Sequence, residues 1–496
     1  MHATSNTAAP DPDNVQGNVA GFNKDHQRLV FLRFADQASA RAFLADIVDD
    51  VATCSEVLAF NSLFKRVYKR RRESERNTVE ASWLNLALTF KGLEVLGVDD
   101  LTDLPEAFRS GMRARSEVIG DVGPSSPGEW IEPFKDEDIH ALVLLAADDP
   151  DDLADEYAYV TSLLSAHGAT QLGEPVDGAA RPASERGREH FGFKDGISQP
   201  GIGGLTTTSH KGTDQIAAGE FICGYPGEAE EPTPQPNPNG YGPPPAPPLP
   251  PELPAWTKDG SFLVFRRLQQ DVKGFRETVA EGAGAGLSSD LLGAKLVGRW
   301  PSGAPLERVP GEAKKADLEA VDPSIADPNV LDDHHINDFG YDKDPDGMLV
   351  PRAAHIRKVN PRSQQPPGKT ESNRHRILRR GIAYGPEFTE AEPPYPGSGP
   401  VPDTQDRGLL FLCYQASIER GFEFIQSQWV DQADFPQTGD GEDPIIAQRD
   451  EPRPFTLPRK EGEPLHVSFK QWVRTTGGEY FFSPSITGLK QLARQG

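Results

Sequence analysis

Short apolar segments alternate with amphipathic helical segments through the first third of the chain. The segment Arg28–Phe34, which reads RLVFLRF, has the continuous apolar and aromatic character of a buried strand. The segment after it has the three-to-four-residue apolar spacing of a helix that covers a sheet. Further strands are predicted at Trp83–Phe90 and Ile139–Ala146, and helices at Ala38–Val51, Lys91–Leu96 and Asp151–His167. This alternation predicts an α+β fold.

A similar alternation returns in the second half of the chain. Ser261–Leu268 (SFLVFRRL) has the character of the first strand, and a helix is predicted over Gln269–Ala280. Leu409–Tyr414 (LLFLCY) predicts another buried strand, followed by a helix that extends to about Gln428. The likeness is one of pattern rather than of residue identity, and it indicates two α+β halves related by duplication.

Charge and cysteine content exclude several classes of protein. The 496 residues carry a net charge of −24, the reverse of what nucleic acids or anionic membranes attract. The cysteines Cys54, Cys223 and Cys413 are too few and too scattered for a disulfide framework or a thiolate zinc site. Neither a signal peptide nor an apolar run near the roughly 20 residues of a membrane span is visible. We therefore expect a soluble, cytoplasmic protein without nucleic-acid or membrane partners; composition does not predict its oligomeric state.

A proline-dense segment, Gly227–Pro254, lies between the two halves. Its PPPAPPLPPELP stretch is poor in backbone donors and favours an extended, polyproline-like chain over sheet or helix. We interpret it as a surface insertion, and a ligand for a partner protein is the alternative.

An acidic residue between two glycines is the first candidate for chemistry. The segment Phe191–Pro200 reads FGFKDGISQP and sets Asp195 in a GxxDG arrangement. Glycine permits positive φ and close approach of the backbone to a flat ligand, and a carboxylate held there can transfer protons. For this segment on its own, an ordinary Asp-Gly turn is the alternative.

A single histidine in a basic segment is the second candidate. Pro351–Arg362 reads PRAAHIRKVNPR, and the two alanines before His355 leave room for a large planar group beside the imidazole. A neutral imidazole with one free nitrogen is a competent axial ligand of haem iron. On its own, the segment is also typical of a structural histidine in a basic loop.

An arginine in a third segment completes the set. Arg374–Gly385 reads RHRILRRGIAYG, and Arg379 stands 24 residues after His355. A guanidinium keeps its charge at any working pH and can stabilise negative charge that develops on a small oxygen ligand. The alternative is a surface arginine paired with a carboxylate or phosphate.

These segments belong to a longer series that resembles the dye-decolorizing peroxidases. The series, in the family's order and over nearly the whole chain, is VQGNVAGF, GFKDGIS, AAHIRKVNPR, LRRGIAYGPE, DRGLLFLCYQASIERGFEFIQSQW and GGEYFFSP. The long insertions and long C-terminal half resemble the larger, class V type. The resemblance implies two ferredoxin-like halves with antiparallel sheets and peripheral helices. We expect them at residues 1–205, with the GxxDG motif, and 206–496, with a proline-rich insertion over residues 227–256.

The resemblance also implies a haem b cofactor and a role for individual residues. Asp195 matches the family's distal aspartate, His355 its proximal haem-iron ligand and Arg379 its distal arginine. Asp443, in GEDPII, matches the acid behind the proximal histidine. The other residues expected beside the haem are Gly196, Ile197, Ser198, Asn360, Pro361, Arg362 (a propionate partner), Leu409 and Phe411. The LVPRAAH stretch departs from the CPF-type stretch of many relatives, which concerns pocket shape more than ligation.

The implied activity is that of a haem peroxidase that uses H2O2 to oxidise dyes, phenols and other aromatic reductants one electron at a time. A free aspartate has a pKa near 3.9, against about 6.5 for histidine, so activity is expected to peak below neutrality. Bulky dyes should not fit a closed haem pocket, so Tyr384 and Trp429 are predicted to carry electrons at the surface. A packing or hydrogen-bonded role is the alternative for both aromatics.

Two other classes of protein stay open. A haem carrier or iron-releasing protein of the same fold would need His355 and the Arg362 region, but it would not use Asp195 or Arg379. A non-haem scaffold with a proline-rich arm would show no Soret band. The presence of Asp195 and Arg379 favours the peroxidase. Among the other histidines, His334 and His335 are expected to be solvated, and His190 and His375 structural.

Overall fold

One ten-stranded sheet with helices packed against it organises the chain. The computed structural model describes residues 9–70, 80–135, 138–208, 212–228, 253–281, 287–308, 322, 324, 331, 335–364, 367–389, 405–448, 452–459 and 463–494. Most of the proline-dense segment, residues 229–252, lies outside these ranges, so its interpretation as a surface insertion stays a prediction.

The N-terminal strands form an antiparallel sheet in the order β4-β1-β3-β2, with β5 also paired to β1. Two helices connect β1 to β2, two short ones connect β2 to β3, and a long one connects β3 to β4. The strands are β1 His26–Arg33, β2 Ser82–Leu88, β3 Ala141–Ala147, β4 Thr170–Gln171 and β5 Val176–Ala179. The helices are α1 Gln37–Ile47, α2 Cys54–Arg70, α3 Phe90–Val95, α4 Glu106–Ala114 and α5 Pro150–His167.

The C-terminal strands repeat this arrangement in the order β10-β11-β8-β14, with β9 also paired to β11. The strands, with two small accessory pairs, are β6 Gly201–Ile202, β7 Gln215–Ile216, β8 Ser261–Gln270, β9 Leu378–Arg379, β10 Ile382–Tyr384, β11 Gly408–Gln415, β12 Arg453–Leu457, β13 Leu465–Phe469 and β14 Val473–Ser483. The helices are α6 Val272–Glu281, α7 Ser289–Val297, α8 His355–Lys358, α9 Lys369–Arg374, α10 Phe422–Phe424 with a π-helical turn Ile425–Val430, and α11 Ile486–Arg494. Both strand orders are those of a ferredoxin-like unit, which confirms the predicted fold.

The two units meet along two seams. At one seam β14 pairs with β2, where Phe482 faces Leu88. At the other, β5 packs so closely on β10 that a Cβ at Gly178 would lie 2.3 Å from Ile382 Cγ2. The sheet therefore curls until its outer strands approach each other, and the loops that leave β5, β9 and β11 lie in one region.

Local sequence explains the main elements. Helix α1 buries Ala40, Phe43, Leu44 and Ile47, the apolar face that its spacing indicates, and Asp36 caps its first turn by accepting from the Ser39 N–H. Strand β1 buries Leu29, Val30, Phe31 and Leu32 consecutively, because both of its faces are covered.

The predicted helix start at Gln269 is wrong. Strand β8 continues to Gln270, and α6 begins only at Val272, where Asp271 Oδ1 accepts from the Gly274 N–H. A longer strand therefore replaces the expected first helical residues. After β11 the chain turns through residues 416–421 before helical structure begins at Phe422.

The three cysteines are buried and form no disulfide. Within the described ranges, no helix combines the length and the apolarity that a membrane crossing requires.

Candidate active site

Asp195 lies at the end of a tight loop between β5 and β6. The Glu189 carboxylate accepts from the N–H groups of Phe191 and Phe193 at 2.8 and 2.9 Å, which fixes the approach to Asp195. Gly196 has a φ of 73°, a conformation that glycine adopts without strain. A Cβ at Gly196 would meet no atom within 4 Å. The loop thus holds the carboxylate beside open space, as the GxxDG motif predicts.

Arg379 is the direct partner of Asp195. It is the last residue of β9, where its backbone pairs with Cys413 of β11, and its Nη1 donates to Asp195 Oδ1 at 2.6 Å. Each of the two side chains keeps 30% of its surface exposed. Burial acts to raise the pKa of Asp195, but the Arg379 charge and the Gly196 N–H outweigh it and hold that pKa below its usual value. Asp195 is therefore a carboxylate at neutral and mildly acidic pH.

His355 is oriented by a buried acid. Its Nδ1 lies 2.8 Å from Asp443 Oδ2, and Asp443 is fully buried. The other oxygen of Asp443 accepts from the N–H groups of Ile445 and Ile446 at 2.8 and 3.0 Å. Burial acts to raise the pKa of Asp443, but His355 and these N–H groups hold it below its usual value. A carboxylate can only accept, so Nδ1 carries the proton of this hydrogen bond and Nε2 is the nitrogen that faces away from Asp443.

The His355 Nε2 atom makes no hydrogen bond to any residue in the described ranges. The imidazole also lies near enough to Asp195 to contribute to the lowered pKa of that carboxyl. An imidazole with an unoccupied nitrogen therefore shares one region with the Asp195–Arg379 pair.

Arg362 connects the His355 segment with the Asp195 loop. Its Nη2 donates to Ser198 Oγ at 3.1 Å and its Nη1 to the Gly212 carbonyl at 2.7 Å. The Arg362 backbone has a φ of 57°, which is costly for a residue with a Cβ. Asn360 is half-buried and Pro361 is buried. The segment after His355 therefore reaches the wall that Ser198 forms.

An apolar wall comes from β11. Leu409 and Phe411 are the half-buried positions at the start of a strand whose other residues are buried. Residues two apart point to the same face of a strand, and Leu409 lines a cavity that also contains Asp195, Gly196 and Arg379. That cavity has a volume of about 370 Å³. The predicted apolar residues thus lie on the side of Asp195.

Sequence reasoning missed a buried polar network behind this loop. Asn337 donates to the Ile197 carbonyl at 2.7 Å, and its Oδ1 accepts from Arg299 at 2.6 Å. Burial, together with the charges of Arg362 and Arg379, lowers the pKa of Arg299 to about 9. Arg376 behaves alike, with a pKa of about 10. The only indication in the sequence is the arginine-rich RHRILRR stretch.

The donor set fits a haem. Arg299 and Arg362 form no ion pair within the described part of the chain, so positive charge near the Asp195–Arg379 pair is not neutralised. Haem carries two propionate carboxylates and takes an axial imidazole whose other nitrogen donates to an acid. His355 with Asp443 supplies that imidazole, and the guanidinium groups suit the carboxylates.

The two aromatic residues predicted at the surface are both buried. Trp429 is 1% exposed and stacks on Phe435 at 5.4 Å between ring centroids. Tyr384 is 6% exposed; its hydroxyl donates to Asp406 at 3.2 Å and the Arg267 guanidinium lies 4.2 Å from its ring. The surface placement is wrong because Tyr384 packs against Arg267 and Asp406, and Trp429 packs against Phe435 and the distant His375.

The remaining histidines have ordinary partners where they are described. His190 Nε2 donates to the Tyr384 carbonyl at 2.8 Å, and His375 contacts the Arg420 carbonyl and Glu371. Both are buried, in agreement with structural roles. His334 lies outside the described residues, and His335 is half-buried.

Known proteins that resemble this chain indicate its family. The model of the DyP dimeric alpha+beta barrel domain matches residues 14–182, and that of the C-terminal domain of Dyp-type peroxidases matches residues 295–438. A dye-decolorizing peroxidase of Mycena epipterygia is 33% identical over 98% of this chain and 87% of its own length. The structure of an ancestral D-type dye decolorizing peroxidase superposes with a TM-score of 0.80 at 32% identity, covering 98% of this chain and 100% of that one.

A deferrochelatase of Yersinia pestis is 35% identical over 95 residues, which is 19% of this chain and 18% of its own. The relatives above that match over nearly the whole chain are peroxidases, so the chain is an oxidoreductase that acts on H2O2. The chain belongs to the dye-decolorizing peroxidase family.

Proposed function

We propose that this protein binds haem b and uses H2O2 to oxidise dyes, phenols and other aromatic reductants in one-electron steps. One H2O2 and two phenols give two waters and two phenoxyl radicals, so electrons and protons balance. The observation that carries the proposal is the Asp195–Arg379 pair, 2.6 Å apart beside open space, in the same region as an imidazole with a free Nε2.

His355 would hold the cofactor through Nε2, with Arg362 near its carboxylates. Haem, when bound, supplies the iron that takes up the oxidising equivalents of the peroxide. Asp443, by accepting from His355 Nδ1, fixes the ring and makes Nε2 a stronger electron donor.

Asp195 would move the proton. Its lowered pKa keeps it a base, so it can take the proton from one peroxide oxygen and return it to the other, which leaves as water. A positioned group of this kind contributes about 10²–10⁴-fold. Arg379, already 2.6 Å from the carboxylate, would stabilise negative charge as the O–O bond breaks.

A haem titration tests the assignment. We expect a Soret band that saturates at one haem per chain and changes on adding one equivalent of H2O2, followed by turnover of a phenol. Arg379→Leu should bind haem equally well and react slowly with H2O2. A protein without a saturable Soret band would be the non-haem scaffold, and one that releases iron without oxidising phenols would be the haem-handling alternative.

Tyr384 and Trp429 stay candidates for electron transfer to bulky dyes, now from buried positions. A cavity of about 570 Å³ lies beside Arg267 and Asp406, the two partners of Tyr384. We expect the double variant Tyr384→Phe, Trp429→Phe to oxidise a large anthraquinone dye at least about tenfold more slowly, because it removes both proposed electron carriers. Small phenols, which enter the cavity at Asp195, serve as the control. Unchanged dye turnover would assign both rings to packing.

A division near residue 205 and a cytoplasmic location are further proposals. The two ferredoxin-like strand orders support the first. Three buried, unpaired cysteines support the second, because reducing compartments keep thiols free.

A further inference from the structure

The cavity that leads to Asp195 is positive although the protein is strongly acidic. Six basic and three acidic side chains line its 370 Å³, whereas the whole chain has a net charge of −24. A cleft of one sign with low-dielectric walls concentrates ligands of the opposite sign. The volume lies within the range of small-molecule sites, about 300–1,000 Å³.

Most of the cations in this lining already have partners. Arg379 pairs with Asp195, Arg186 with Asp25, and Lys24 with Asp148. Arg181 pairs with Glu387, and Arg380 donates to three backbone carbonyls. Apart from Arg379, which belongs to the proposed peroxide site, these groups hold the walls together and have little capacity left for a ligand.

Arg188 is the exception. Its Nη1 donates to the Gly192 carbonyl at 2.9 Å, and this half-buried side chain has no acidic partner among the described residues. Its Nε and Nη2 atoms make no hydrogen bond to a described residue. These two N–H groups point in the same direction and form the planar fork that binds a carboxylate through both oxygens.

Other arginines of this chain use the same fork. Arg28 binds Asp177 through Nε and Nη2 at 2.7 and 2.6 Å, and Arg115 binds Glu423 at 2.9 and 2.6 Å. Arg181 binds Glu387 in the same way at 2.9 and 2.5 Å. At Arg188 the equivalent edge meets no carboxylate of the described residues, and the side chain lines the cavity.

We propose that Arg188 makes this cavity a binding site for small aromatic carboxylates, so that the enzyme selects anionic phenols over neutral phenols of the same shape. The two nearby acids oppose this weakly because each already has donors. Asp195 accepts from Arg379, and Glu189 accepts from two backbone N–H groups and from Gln270. The selection of oxidised substrates rests on the proposed peroxidase function, but the binding itself does not.

Calorimetric titration of the haem-loaded protein without peroxide tests the site. The ligands are 4-hydroxybenzoate and its neutral isostere 4-hydroxybenzamide. We expect the carboxylate to bind at least about tenfold more tightly, as charge-assisted bidentate pairing implies, with the difference shrinking as salt is raised. Arg188→Gln should remove most of that difference and leave the affinity for the amide unchanged, which also controls for the shape of the loop.

Arg186→Gln is the matched control, because Arg186 lines the same cavity but is paired with Asp25. Arg186→Gln should change the ratio of carboxylate affinity to amide affinity less than twofold. Arg188→Lys, which keeps the charge but loses the two-pronged guanidinium edge, should retain only part of the preference for the carboxylate. An unchanged ratio in Arg188→Gln, or an equal loss in Arg186→Gln, overturns the proposal. Intact carboxylate binding in a protein without peroxidase activity would instead overturn the proposed function alone.

Discussion

Replacing Asp195 with asparagine is expected to slow the reaction with H2O2 by about 10²–10⁴-fold, the usual contribution of a positioned proton-transfer group. The amide oxygen can still accept from Arg379 Nη1, which donates to Asp195 at 2.6 Å, so the geometry of the pair is kept. What is lost is the base, since a carboxamide takes up no proton at working pH. The deficit should therefore lie in the reaction with peroxide and not in haem binding.

Stopped-flow measurement of the haem spectrum against H2O2 concentration gives this rate directly. Asp25→Asn is the control, because Asp25 lines the same cavity and is paired with Arg186, not Arg379. It should react with H2O2 at the wild-type rate to within about threefold, which is small beside the effect expected of the base. An Asp195→Asn rate equally close to wild type would remove Asp195 from the mechanism.

The pH dependence of the same rate has a definite sign. The Asp195 pKa is held below its usual value, so the basic form predominates above about pH 4, the ordinary range of a carboxyl group. The wild-type rate with H2O2 should then stay level from neutrality to mild acid and fall only as the pH drops through the lowered pKa. A rate that already declines between pH 7 and 5 would require a different base.

Segments with strong local patterns were predictable from the sequence. Strand β1 is apolar on both faces, and α1 repeats its apolar residues with helical spacing. The local sequence of each element therefore indicates which of its faces are buried. Strands β9 and β10 contain only two and three residues. They exist because β11 offers them hydrogen bonds, and no local pattern records such a partner.

The site also contains residues that the sequence predicts and residues that it does not. Asp195, His355 and Arg379 stand in recognisable segments, and the Asp195–Arg379 contact joins residues 184 positions apart. Asn337 reaches Ile197 across 140 positions from a loop without any motif, so only the folded chain reveals it. Trp429 was misplaced for a related reason, because its indole also packs against His375, a residue much earlier in the chain that its own segment does not specify.

The second large effect is expected on the other side of the site, from His355→Ala. Loss of the imidazole removes the nitrogen proposed as the axial ligand, and haem affinity should fall by at least about 100-fold, the upper end of the losses seen when only the group behind a ligand is removed. Asp443→Asn should lower haem affinity about 10–100-fold. If its carbonyl keeps the N–H groups of Ile445 and Ile446, its NH2 opposes the His355 Nδ1–H, and in the reverse orientation the NH2 opposes the two backbone N–H groups.

Soret titration measures these affinities, and thermal unfolding of the haem-free variants shows whether the fold is intact. Added imidazole supplies the sharper control. It should restore tight haem binding to His355→Ala, since it occupies the space that the side chain leaves, but not to Asp443→Asn, in which that space is filled. We therefore expect His355→Ala to lose more haem affinity than Asp443→Asn, and imidazole to rescue only His355→Ala. This order follows from a single imidazole held by one buried carboxylate at 2.8 Å. Wild-type haem affinity in His355→Ala would contradict it, and the axial ligand would then have to come from another side chain.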